Sequence, residues 1–147
     1  MATDAQKIII DLLEANWNTA NTNSIEPEYH KAYEVDRVTN KSGGYSAIVS
    51  YEISHPVRES ALGGYDREDP TISLEIITDG NGQADGRQHA LKLRDEAIRI
   101  IRLNARNGVS PYIYFQIIRM QDLSNDLTGV QKHVVDVRLT SQFNFYG

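Results

Sequence analysis

"IITDGNGQADGRQHALKLRD", residues 76–95, decides how this chain is read. Its aspartates, asparagine and three closely spaced glycines invite comparison with a calcium loop of the form D-x-[DN]-x-[DN]-G-x5-E. Asp79 and Asn81 meet the first and third places. Gln83 stands at the fifth, Ala84 stands where the sharp turn needs glycine, and Ala90 stands where the bidentate glutamate belongs. The run before it, residues 71–78, alternates as a strand: Ile72, Leu74 and Ile76 share one face, Ser73 and Glu75 the other. An EF-hand needs a helix there. Gly80, Gly82 and Gly86 do not form G-x-G-x-x-G, and no G-K-[ST] follows, so a phosphate cradle is not predicted either. The stretch reads as a strand-to-helix turn, with Asp85 as the helix N-cap.

The helix that follows is expected from Asp85 or Gly86 to Asn107, closed by Gly108. Ala90, Leu93, Ala97, Ile98, Ile100, Ile101 and Ala105 cover about half its circumference at 100° per residue. Lys92, Asp95, Glu96, Arg99, Arg102 and Arg106 take the other half. Arg94 falls inside the apolar arc, where its stem can pack while its head reaches water. A first helix is expected over residues 3–15, capped by Thr3 or Asp4. Its stripe of Ala5, Ile8, Ile9, Leu12 and Leu13 is flanked by Ile10 and Trp17.

Strands are expected at residues 29–38 and 47–54, paired as a hairpin through "NKSGGYS", and again at 71–78, 112–119 and 132–145. Residues 55–70, "HPVRESALGGYDREDP", carry two prolines, a Gly-Gly pair and little periodicity, and read as a long insertion loop. The order αβββαββ implies an α+β fold. It has a single mixed or antiparallel sheet of about five strands with two helices packed on one face, in one domain spanning 1–147.

With 147 residues, 24% charged and 40% hydrophobic, the chain is long enough for a core and is expected to be soluble. The first residues lack the basic n-region and cleavage site of a signal peptide, and no run is apolar enough for a membrane helix. The absence of cysteine excludes disulfides and thiolate chemistry. A net charge of −5 disfavours binding that depends on neutralising phosphates. His30, His55, His89 and His133 have no histidine partner at i+3 or i+4, so no zinc site is predicted. No serine lies in a G-x-S-x-G elbow. Glu52, Glu75 and Asp136 are ordinary strand carboxylates. No catalytic residue, metal or cofactor is predicted, and the chain is read as non-enzymatic. A small ligand-binding module remains the reading from a different class, and would need a pocket with convergent polar groups.

What remains is surface. The last strand ends in Phe143, Phe145 and Tyr146, which either complete the core or anchor an interface. The layout of a helix leading to a tryptophan ("LLEANWNTANTNSIEPEY"), then "RQHALKLRDEAIRIIRLN" and "DLSNDLTGVQKHVVDVRLTSQF", resembles the tail terminator (tail completion) proteins of long-tailed bacteriophages and related viruses. The likeness spans nearly the whole chain and rests on element order and size rather than on an invariant motif. It implies a homo-oligomeric, hexameric ring in the virion, at the head–tail junction, assembled in the host cytoplasm. Such a ring caps the tail tube, stops its polymerisation, and offers a surface to the neck connector. Genome DNA would pass through the lumen without specific binding. Another neck or tail ring, such as a head-closure protein, is the near alternative. Subunit-interface candidates are Arg58, Glu59, Tyr65, Asp66 and Arg67 in the insertion, Arg99, Arg102 and Arg106 on the long helix, and the terminal aromatics Phe143, Phe145 and Tyr146.

Overall fold

The computed structural model describes residues 4–22, 26–31, 45–59, 65–79, 86–106, 112–124 and 130–144. In chain order the elements are helix α1 (Ala5–Asn16), a 3-10 turn (Thr19–Thr22), strands β1 (Glu28–Lys31), β2 (Tyr45–Ser54), β3 (Val57–Glu59), β4 (Tyr65–Glu68) and β5 (Thr71–Asp79), helix α2 (Gly86–Leu103), and strands β6 (Tyr112–Asp122) and β7 (Val130–Asn144). The architecture is α+β, one mixed sheet with both helices on one face. The sheet holds seven strands instead of five, because the segment read as an insertion loop contributes β3 and β4.

The sheet is built around β7. One of its edges pairs with β6, and the other pairs with β5 and then β4. The register against β7 never shifts from Tyr65↔Asn144 to Asp79↔Val130. β4 and β5 therefore lie on one ladder, and Leu139 N–H donates to Pro70 O at 2.8 Å across the gap between them. β2 and β3 run beside them in the same way, with a single bulge between Glu52 and Ser54. Together the four make one long hairpin. Pro56 and Pro70 each remove a backbone donor, which splits each arm into two strands. Asp69 N–H still donates to Pro56 O at 3.1 Å.

Pleating puts alternate residues on the helix side. Ile48, Ile72, Leu74, Ile76, Val135, Val137 and Leu139 meet Ile9, Leu13, Leu93, Ile100 and Ile101 from the helices in one core. Each such burial stabilises the fold by about 1.5–3 kcal/mol. α1 packs on β1 and β2, and α2 packs on β5, β6 and β7. The wide stripe of α1 is real, since Ile10 is buried and Trp17 stacks edge-on against Tyr29 at 6.1 Å. Asp4 caps α1 by accepting from Lys7 N–H at 3.2 Å.

Three sequence expectations need correction. β1 pairs with β2 in parallel, not as a hairpin, and residues 32–38 of the expected first strand lie outside the described residues. α2 ends at Leu103 instead of Asn107, where Asn104 Nδ2 donates to Ile100 O at 2.9 Å and a tighter turn follows. Glu96, placed on the solvent half of α2 by helical spacing, is only 2% exposed. Asp85, Gly108 and most of the "NKSGGYS" turn lie outside the described residues, as does the centre of the stretch at residues 80–85.

Glu96 is buried because four donors reach it. Asn18 N–H donates at 2.7 Å, Asn21 Nδ2 at 2.9 Å, and Arg99 forks onto both oxygens at 2.6 and 2.7 Å. Burial alone would raise its pKa; the Arg99 fork and the Asn18 and Asn21 hydrogen bonds outweigh that and hold it below the usual carboxylate range. Arg99 also donates to Asn16 O at 3.2 Å, so α2 is tied to the end of α1 and the 3-10 turn. Glu96→Ala strands these donors and should cost about 2–3 kcal/mol in urea unfolding, the charge pair being part-exposed. A lowered pKa stabilises above the unfolded value of about 4.3 and is lost as pH falls through the folded value. The gap between wild type and Glu96→Ala should therefore narrow in acid.

Candidate assembly surfaces

Two surfaces stand out once the fold is in place. The first is the far end of the long hairpin, where β3, β4 and the last residues of β7 form a three-stranded arm. A charged clip spans the proline break at its root. His55 Nδ1 lies 3.0 Å from Glu52 Oε1 on β2, and its Nε2 lies 3.3 Å from Glu68 Oε2 on β4. Burial pulls the imidazole pKa down, but the hydrogen bonds to Glu52 and Glu68 and their negative charges outweigh it, and the net shift is upward.

The second surface is the flank made by the C-terminal half of α2 and edge strand β6. A groove of about 510 Å³ is lined by Arg94, Asp95, Ile98, Arg99, Arg102, Leu103 and Met120. Its apolar floor is unusual for a surface: Leu103 is 71% exposed and Met120 51%. Along β6 and just after it, Ile113, Tyr114, Ile118 and Leu123 are also exposed, Tyr114 on the face away from the helices, which adds apolar side chains to this sheet edge. β6 carries two bulges, between Tyr112 and Tyr114 and between Ile117 and Arg119. Ile113 and Ile118 are the extra residues, and the second bulge turns Met120 onto the helix side, facing the groove.

The candidates from the sequence fall into distinct settings. Arg99 is held within the chain by Glu96 and Asn16. Arg102 and Arg106 are exposed and have no ion-pair partner among the described residues. Arg58, Glu59, Tyr65, Asp66, Arg67 and Phe143 are placed by backbone pairing alone: Arg58↔Arg67, Glu59↔Asp66, Tyr65↔Asn144 and Asp66↔Phe143. The arm thus brings the insertion candidates beside the end of β7. Phe145 and Tyr146 lie outside the described residues. Sequence reasoning missed the Leu103–Met120 groove, because Leu103 sits past the apolar arc of α2 and Met120 changes face only through the bulge. Among the described residues, no group of three His, Asp or Glu side chains is placed to hold a metal ion, and no helix is long and apolar enough to cross a membrane.

The clip makes a pH-dependent contribution. A raised imidazole pKa stabilises fully below the unfolded value of about 6.5, and the gain is lost as pH rises through the folded value. Wild type should exceed His55→Gln in stability at pH 5.5 by less than about 1 kcal/mol, as for a part-exposed ion pair. Urea unfolding at pH 8.5 should show the difference reduced.

No family model and no curated protein matches the chain. Among solved structures, it is similar to a chain in the virion of a native gene transfer agent particle. The superposition has a TM-score of 0.59 and covers 95% of each chain, at 15% sequence identity. The α+β fold is therefore one that a component of that particle shares over nearly its full length.

Proposed function

We propose that this protein is a virion structural protein, a ring-forming tail terminator that caps the tail tube, halts tube polymerisation and presents the attachment surface for the neck connector. The observation that carries the reading is the end-to-end structural match to a chain of the gene transfer agent virion. The order of elements adds to it, since it roughly matches the one on which the resemblance to tail terminators rests. The exposed surfaces suit the role. A closed ring uses two different patches on each subunit, and this chain carries an arm, an apolar groove and a charged helix face. The reading includes no catalytic activity, a place at the head–tail junction, and contacts with tail tube and neck proteins. The acidic net charge suits a conduit through which DNA slides without being held. A different ring of the neck or tail is the second reading, because the similar chain is described by its particle and not by its place within it.

Tube-length control tests the proposal. Tail tube protein polymerised in the presence of this chain should stop at short, capped lengths, with ring-shaped density at one end in negative stain. Tubes that elongate equally with and without the chain, or rings found elsewhere in the neck by labelling, would remove the terminator role. Duplex DNA should show no measurable retention at about 0.15 M salt.

A further inference from the structure

The two flanks of the helical layer carry opposite charge. α2 lies over β5, β7 and β6; Arg102 and Arg94, the latter paired with Asp95 at 3.2 Å, line the Leu103–Met120 groove, and Arg106 is exposed just past the helix end. α1 lies over β1 and β2 at the other edge of the sheet. There Glu14 is exposed on the helix and Glu26 just before β1, while Asp11 is paired with Lys7 at 2.6 Å. Glu14 lies in the last turns of α1, and Glu26 lies two residues before β1, on which α1 packs; with the buried Glu96 of α2 they act on the Tyr29 phenol of β1. Glu14 and Glu26 have no ion-pair partner among the described residues, as is true of Arg102 and Arg106.

We infer that the α2–β6 flank of one copy docks on the α1–β1 flank of the next, head to tail. The occupant of the groove is thus a second copy of this chain. Charge complementarity selects it: the same molecule that carries a basic-rimmed apolar groove carries an acidic patch on the opposite edge. A nucleic-acid strand fits less well. The groove floor is apolar and Asp95 sits on its rim, where it repels phosphate. Because the two patches are different and lie on opposite edges, the contact is heterologous, and repeated copies close a ring or extend a filament. This inference adds the contact surfaces to the proposed ring, but its test does not depend on the terminator role.

Charge reversal in pairs tests it by sedimentation. Arg102→Glu with Arg106→Glu should weaken self-association about tenfold or more, as should Glu14→Lys with Glu26→Lys. The two reversed flanks complement each other as the two intact ones do, so an equimolar mixture of the variants, each unable to pair with itself, should regain higher oligomers in which they alternate. The variant with all four reversals should regain higher oligomers. Circular dichroism checks that each chain is folded. A wild type that stays monomeric at its highest soluble concentration overturns the inference. So do oligomers indifferent to both reversals, a mixture that does not associate, or loss of duplex DNA binding as the sole effect of the arginine reversals. Rings that survive both reversals yet still cap tubes would retire this contact and leave the terminator reading. Association through these flanks with no effect on tube length would do the opposite.

Discussion

The fifteen-residue strand β7 is the constraint on which the rest depends. At about 3.3 Å per residue it spans roughly 50 Å, longer than the helical layer needs. Its inner part carries Val135, Val137 and Leu139 into the core, between Ile72 and Leu74 on one side and Phe115 and Ile117 on the other. A slip of one residue would exchange these for Val134, Asp136 and Arg138. Because the register with β4 and β5 is unbroken, the core fixes the geometry of the arm as well. The arm is the outward continuation of a ladder whose other end is held by packing.

The same economy is visible in α2. One side of its middle turns holds Glu96 and Arg99, which join the helix to the end of α1 and the 3-10 turn. One turn further on, Arg102 reaches water at the helix C-terminus, where a cation is favoured by the backbone dipoles. Arginines at a spacing of three thus have unlike work: Arg99 satisfies a buried carboxylate, and Arg102 is left for the surroundings. Helical spacing alone could not separate them, since the difference lies in Asn18 and Asn21, far away in sequence.

Much of the fold was legible. The alternation of residues 71–78 and the half-apolar circumference of α2 both reflect local periodicity, and periodicity is what a packed layer leaves in a sequence. Rejecting a calcium loop at residues 76–95 also rested on local facts, the alanines at positions 84 and 90. What escaped was non-local. Pro56 and Pro70 made residues 55–70 read as a loop, yet pairing of β4 with β7, and of β3 with β4, makes strands of two parts of that segment. The parallel pairing of β1 left no mark in its four residues. Of the candidate surface, the arginines were found from the helix pattern. The groove beside them depends on a bulge in another strand, which no periodicity announces.

The bulges of β6 have a further consequence. A long exposed edge strand is a template on which another chain can add its own backbone. Two extra residues within eleven disturb the spacing and twist of that edge, so neighbouring donors and acceptors no longer line up for a straight incoming strand. The free molecule is thereby guarded against open-ended sheet growth on its most apolar side. Anything that meets this flank must do so by fitting side chains into a shaped surface, which admits one geometry, whereas a bare ladder would admit many.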